Sequence, residues 1–269
     1  MYISSRANPL IKQVRQLRQR KYRDETGLFY VEGIRLVVEA LKSGNKIENL
    51  LVAPELLTSQ FAHDFLKTAG SNGLNKVEVS REVFESFALK ENPQGLAAVL
   101  KAKWSSLPEV DRENPEVILA LNEIQDPGNL GSIIRTADAV GLDTLALLGN
   151  CTDPYDPVAI RASMGAVFTQ NLIKMSFEEL AAWTAGKGIQ LIGASGNAQV
   201  NYRAASYPRP LVLLMGSEQH GLSNYQQAAC DMLVSIPMKG RSDSLNLAIA
   251  TSIILYEVFS RQNDSVVSI

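Results

Sequence analysis

The chain has 269 residues, 46% of them hydrophobic and 20% charged, with a formal net charge of −2, a composition ordinary for a soluble protein with one large core or two modest ones. No apolar run reaches the roughly 18 residues that a membrane span needs, and the opening MYISSRANPL lacks the apolar core of a secretory signal, so a cytosolic location is expected. Cys151 and Cys230 have no CxxC spacing and the only histidines are His63 and His220, which argues against a structural zinc site and for two unpaired buried thiols.

Charge is distributed unevenly. Residues 1–103 hold 16 Lys/Arg against 11 Asp/Glu, whereas residues 104–269 hold 10 against 17. Arg6, Lys12, Arg15, Arg18, Arg20, Lys21 and Arg23 all precede the first acid, Asp24. Ile11, Val14 and Leu17 form an apolar stripe at helical spacing, which predicts an amphipathic helix running to about Lys21. Lys12, Arg15 and Arg18 fall at roughly helical spacing, and with Arg20, Lys21 and Arg23 they make a basic segment that suits phosphate binding; the bland alternative is a solvated basic helix.

Beyond this helix, GLFYVEG reads as a strand, IRLVVEALKSG as a helix and KIENLLVAP as a strand. A helix around ELLTSQFAHDFLKTAG, a strand KVEVS, a helix near 83–89 and a strand GLAAVLKAK follow. The alternation predicts a small α/β domain over residues 1–103. Residues 104–116, WSSLPEVDRENPE, have two prolines, mixed charges and no periodicity, and read as a linker.

A second domain, residues 117–269, shows stronger strands: EVILALNEI, DTLALLG, QNLIKM, IQLIGASG, PLVLLMG and DMLVSIPM. Helices are predicted at NLGSIIRTADAVG, DPVAIRASMGAVF, SFEELAAWTAGKG and about 245–262. Near-continuous apolar strands separated by helices predict a mostly parallel sheet covered on both faces.

Three polar constellations interrupt this scaffold at strand ends, where open α/β sheets bind ligands. In NEIQDPGNLGSIIRTADAVG, Asp126, Pro127 and Gly128 shape a turn, Asn129 opens and caps a helix, and Arg135 follows six residues later. An arginine in an apolar helix needs an anion or a carboxylate, Asp138 and Asp126 being the internal candidates. In LLMGSEQHGLS, Gly216 permits close approach to the backbone, Glu218 can accept from exposed amides or an arginine, and His220 reads as a turn residue. In IPMKGRSDSLN, a strand ending at Ile236–Met238 leads to a helix mouth, where Ser242 to Ser244 offer several caps, Ser244 among them, and Asn246 enters the first turn.

The order NxxxxxR, GSExxG and IPMxGxxxSLNxAxAxxIxLYE resembles the SpoU-type (TrmH-like) branch of the SPOUT RNA 2′-O-ribose methyltransferases, over residues 117 to about 260. The segment SSRANPLIKQVRQLRQRKYRDETGLFYVEG resembles that family's RNA-binding domain, which is similar to a ribosomal RNA-binding protein. The resemblance implies a C-terminal trefoil-knotted α/β domain behind a smaller α/β RNA-binding domain. It implies S-adenosylmethionine as cofactor, contacted by Gly216, Ile236 and Leu245, and a reaction centre of Asn129, Arg135, Glu218, Ser244 and Asn246. It also implies a homodimer through the knot region and places Arg161 and Ser163, in RASMGAVF, beside the site.

Those residue types suit methyl transfer to a ribose 2′-oxygen, which needs alignment and loss of one proton but no metal. A guanidinium stays protonated, so Arg135 is expected to stabilise the forming alkoxide and the adjacent phosphate. The two-domain layout favours large-subunit ribosomal RNA by resemblance, including the antibiotic-resistance type. A tRNA methyltransferase and a non-catalytic RNA-binding or ribosome-assembly protein are the alternatives. A nucleotide-dependent oxidoreductase would need GxGxxG after a first strand, and the chain has none.

Overall fold

The predicted apolar stripe is the floor of the first core: Ile11, Val14 and Leu17 are buried against Tyr30, Leu51, Val77, Phe84 and Val99. The fold is seen in a computed structural model, which describes residues 1–69, 74–107 and 117–264. Most of the expected linker, residues 108–116, lies outside the described residues. The chain forms two compact units, one of residues 1–102 and 155–168, the other of residues 103–154 and 169–269.

In the first unit, β1 (Tyr2–Ile3), α1 (Pro9–Gln16), α2 (Arg20–Thr26), β2 (Leu28–Glu32), α3 (Ile34–Lys42) and β3 (Ile47–Val52) come in succession. After a 3-10 turn at Pro54–Leu56 come α4 (Gln60–Ala69), β4 (Lys76–Val79), α5 (Arg81–Glu85) and β5 (Leu96–Lys101). The sheet order is β1-β4-β3-β5-β2; β1, β4 and β3 run parallel, and β5 is antiparallel to both its neighbours. The two-residue β1 is too short to carry a periodicity and went unpredicted.

The single helix predicted to Lys21 is two. Asn8 caps α1 by accepting from the Leu10 amide at 2.9 Å, and Pro9 fills the first turn, where a missing N–H does no harm. The helix ends at Leu17 because Arg23, from α2, donates to the carbonyls of Leu17 and Arg18 at 2.9 Å each, satisfying groups that a helix terminus otherwise leaves orphaned. The same guanidinium pairs with Asp156 at 3.1 Å and is only 5% exposed. Arg23 is therefore a strut inside the unit, a correction to its reading as an RNA-facing residue.

Residues 155–168 join this unit through apolar contacts that sequence order does not predict. Tyr155 stacks on Phe29 with ring centroids 4.4 Å apart, and the Asn45 amide donates to the Phe168 carbonyl at 3.0 Å. Between them, α7 (Pro157–Ala162) starts at Asp156, which caps it through the Val158 amide.

The second unit is a seven-stranded sheet in which every neighbouring pair is parallel, ordered β10-β12-β9-β11-β6-β7-β8. Its strands are β6 (Val117–Asn122), β7 (Thr144–Leu148), β8 (Asn171–Met175), β9 (Gln190–Ala194), β10 (Val200–Asn201), β11 (Leu211–Met215) and β12 (Met232–Ser235). The helices are α6 (Pro127–Ala139), α8 (Phe177–Ala185), α9 (Asn224–Ala229) and α10 (Leu247–Asp264). Leu211–Met215 and Thr144–Leu148 are buried along their whole length, as sheet strands covered on both faces must be. From β6 the chain moves outward to β7 and β8, and from β11 outward on the other side to β12. The carboxyl ends of β6 and β11 therefore flank a topological switch point, where a parallel sheet opens a crevice.

No helix among the described residues is long and apolar enough to cross a membrane.

Candidate active site

At the end of β6 the chain turns sharply: Glu123 adopts a left-handed φ of 51°, sparsely populated for a residue with a side chain. Three residues later Asp126 caps α6, its Oδ1 accepting from the Asn129 amide at 2.6 Å. Asn129 is therefore not the cap that the sequence suggests but the third residue of the helix. Its side chain is consequently available to other partners.

One partner is Glu218. β11 ends at Gly216, where a Cβ would lie 2.2 Å from the Gly221 carbonyl carbon, so only glycine fits. Ser217 and Gly221 exchange backbone hydrogen bonds at 3.1 and 3.0 Å, closing a tight turn that lifts Glu218. Its Oε2 accepts from the Gln125 amide at 3.1 Å; its Oε1 accepts from the Asp126 amide at 3.3 Å and the Asn129 Nδ2 at 3.4 Å. Of the two partners the sequence allowed, amides or an arginine, the amides win. His220 is exposed in that turn, its amide donating to Ser217 Oγ at 3.2 Å.

The other partner is Asn246. Its Nδ2 donates to Asn129 Oδ1 at 2.9 Å, and its own Oδ1 accepts from the Ala248 and Ile249 amides at 2.9 and 3.3 Å. Asn246 is thus the cap of α10 and at the same time the end of a side-chain relay, and Ser244 is not the cap. Thr136 and Ser252 hydroxyls, 2.9 Å apart, pin α6 to α10 and fix the angle at which the two asparagines meet.

Beside this network lies a pocket of about 280 Å³. Its walls are the loops after β9 (Ser195, Gly196), β11 (Gly216 to Gln219) and β12 (Ile236, Met238), closed by Ser244, Leu245 and Leu247 at the mouth of α10. The three predicted cofactor residues and Glu218 all line it. Ser195 and Gly196 were not singled out in the sequence, although IQLIGASG ends in small residues, the signal expected where a ligand approaches a backbone. Aliphatic walls with a few converging backbone and hydroxyl groups fit a small organic cofactor with an apolar part and a polar part.

Arg135 is exposed on α6, not buried, and makes no hydrogen bond or ion pair among the described residues; neither Asp126 nor Asp138 holds it. Its cation is available to an external anion. Of the basic opening segment, Lys12, Arg18, Arg20 and Lys21 are exposed. Arg18 donates to the Ala88 carbonyl at 2.6 Å and Arg15 to the Arg6 carbonyl at 2.6 Å. Arg20 and Lys21 face Asp24 and Glu25 at 3.4 and 3.9 Å, solvated pairs of small energy.

Burial raises the thiol pKa of both cysteines, Cys230 to about 11. Cys151 is buried and Cys230 half-buried, and neither forms a disulfide among the described residues.

Residues 116–256 match the SpoU rRNA Methylase family, and residues 8–98 match the MRM3-like substrate binding domain. An uncharacterised tRNA/rRNA methyltransferase of Synechocystis sp. is 34% identical over 97% of this chain and 94% of that protein. The 23S rRNA (uridine(2479)-2′-O)-methyltransferase of Streptomyces viridochromogenes is 32% identical, covering 90% and 85%. Among solved structures, an AdoMet-bound rRNA methyltransferase from Sinorhizobium meliloti superposes with a TM-score of 0.87 at 37% identity, covering 97% of this chain and 98% of that one. With more than half its length under one family model and relatives matching end to end, this chain belongs to the SpoU rRNA methylase family.

Proposed function

We propose that this protein is a 2′-O-methyltransferase that uses S-adenosylmethionine to modify a ribose of large-subunit ribosomal RNA. The observation that carries the reading is the relay Glu218–Asn129–Asn246, which ties the ends of β6 and β11 and the mouth of α10 together on the rim of the pocket.

The pocket fits the cofactor on its own chemistry. Gly216 offers bare backbone, Ile236 and Leu245 offer aliphatic walls, and Ser195 and Ser217 offer hydroxyls. When bound there, S-adenosylmethionine supplies a methyl group on a sulfonium, a good leaving group. The protein's task is then to align the 2′-oxygen and stabilise the charge that forms on it. Glu218 already accepts three hydrogen bonds, so it acts as a clamp on the β6 loop. Asn129 and Asn246 hold each other's side chains and present the rim in one geometry. Ser244, exposed at the pocket mouth, is free to orient the ribose. Arg135, with no hydrogen bond or ion pair among the described residues, supplies a permanent cation for the alkoxide and the neighbouring phosphate.

Residues 1–103 present RNA with Lys12, Arg15, Arg18, Arg20 and Lys21, and residues 117–154 and 169–269 carry the chemistry and the trefoil knot. Ile249 and Tyr256, about two turns apart on one face of α10, are 52% and 50% exposed, and Met238 is 39% exposed. Apolar side chains exposed this way support burial against a second copy, and a homodimer would appear as twice the chain mass in light scattering. A ribosomal substrate implies action in the cytoplasm.

The experiment that tests the reading is a map of ribose 2′-O-methylation in ribosomal and transfer RNA from cells with and without the gene. One large-subunit site lost on deletion and restored by the intact gene is the expected result. A site lost from tRNA instead, or no site lost, would refute the assignment.

A further inference from the structure

The first unit holds a cavity of about 40 Å³ whose wall includes Tyr30, Glu32, Leu89, Lys90 and Arg161. Glu32 is only 5% exposed. Its Oε2 accepts from the Leu89 amide and from the Tyr30 hydroxyl, the latter at 3.3 Å. Its Oε1 is buried with no hydrogen-bond partner among the described residues. Burial raises the carboxyl pKa, and an unmatched acceptor of this kind is unfavourable until a donor reaches it. The cavity rim is cationic. Lys90 Nζ lies 3.7 Å from where a Cβ on Gly33 would be, Gly33 has a φ of 106°, and Lys90 and Arg161 are both exposed. Neither forms an ion pair among the described residues.

We propose that this cavity receives the exocyclic amino group of a nucleobase, which donates to Glu32 Oε1 while Lys90 and Arg161 meet the flanking phosphates. The space admits a group about the size of a water molecule, so it takes an amino group and not a whole base. The missing partner of Glu32 is a donor, whereas the rim asks for anions. A nucleotide carries both within one residue. Adenine, cytosine and guanine have an amino group and uracil does not, so the cavity discriminates against uridine. The inference rests on the reading of the protein as an RNA methyltransferase and adds a base preference that the phosphate contacts of the opening helix cannot supply.

The test is binding of the full-length protein to oligoadenylate, oligocytidylate and oligouridylate of equal length, by fluorescence anisotropy. The wild type should bind the amino-bearing strands about tenfold more tightly than oligouridylate. Glu32→Gln, which is isosteric and puts a donor in the cavity, should erase or reverse that ratio; Arg161→Ala should weaken all three strands alike. S-adenosylmethionine binding by Glu32→Gln and the circular dichroism spectra of both variants should be unchanged, which reports a retained fold. A wild-type ratio near one, or a ratio unaltered in Glu32→Gln, would overturn the proposal and leave the cavity to a water molecule. A methylation map that loses no rRNA site on deletion of the gene, with the oligonucleotide ratio intact, would sink the enzymatic reading alone.

Discussion

Asn246 Nδ2 donates to Asn129 Oδ1 at 2.9 Å while Asn246 Oδ1 caps α10, so one side chain serves both the stability of a helix and the geometry of the site. The two roles separate by substitution. Asn246→Ser keeps a cap oxygen but has no second group for Asn129; its stability should stay within about 0.5 kcal/mol of wild type, while methyl transfer falls by about a hundredfold. Asn246→Ala should lose the same activity and a further ~1 kcal/mol of stability. Chemical denaturation with single-turnover kinetics reads both; equal activity in Asn246→Ser and wild type would remove the relay from the mechanism.

Gly216 sits where a Cβ would lie 2.2 Å from the Gly221 carbonyl carbon and 2.5 Å from the Leu222 nitrogen. Backbone cannot yield as a flexible side chain can. Gly216→Ala is expected to lose about 2 kcal/mol of stability and to bind S-adenosylmethionine at least tenfold more weakly. Calorimetric titration decides, and unchanged affinity would place the cofactor elsewhere.

Arg23 and its basic neighbours should behave oppositely. Arg23→Met strips Asp156 and two carbonyls of their donor and should destabilise the protein by about 3 kcal/mol, with the salt dependence of RNA binding unaltered. Neutralising Arg15, Arg18 and Arg20 should leave the melting temperature nearly unchanged, weaken RNA binding and flatten its salt dependence. An unchanged slope in the triple variant would move the RNA surface off this segment.

The Cys230 thiol, pushed up to about 11 by burial and the Asp231 carboxylate, is almost wholly protonated at pH 8, with about one thiolate per thousand molecules. Cys151 is also raised by burial. Both should react with a thiol-specific disulfide reagent far more slowly in the native protein than in denaturant, and more rapidly as pH rises. Fast native labelling at pH 8 would contradict the observed packing.

Strands and ligand-bearing loops were legible in the sequence because apolar runs such as PLVLLMG mark buried strands, and Gly216, Glu218 and Asn246, singled out by motif order, do meet at one pocket and its rim. Helix starts were less legible. Asp126, Asn129, Ser244 and Asn246 are all good caps, and only the three-dimensional course of the chain decides that Asp126 and Asn246 do the capping while Asn129 is left for Glu218. The break after Leu17 depends on Arg23, whose partner Asp156 is remote in sequence; no local pattern signals such a pair. Residues 155–168 fall in the first unit for the same reason: the stack of Tyr155 on Phe29 is a long-range contact. Arg135 looked buried because its helix is apolar on one side, and one face of an amphipathic helix is easily misjudged from Ile134 and Thr136 alone.

Arg135 is exposed and makes no hydrogen bond or ion pair among the described residues, so its removal should stop the chemistry and spare the fold. Purified wild-type protein with labelled S-adenosylmethionine and unmodified large-subunit rRNA should place label on a single ribose 2′-oxygen, located by mass spectrometry of nuclease fragments. Arg135→Ala should match wild type in stability to about 0.5 kcal/mol, as a surface substitution does, bind the cofactor normally and transfer essentially no label. Label on a base instead of a ribose, or near-normal turnover by Arg135→Ala, would contradict the account.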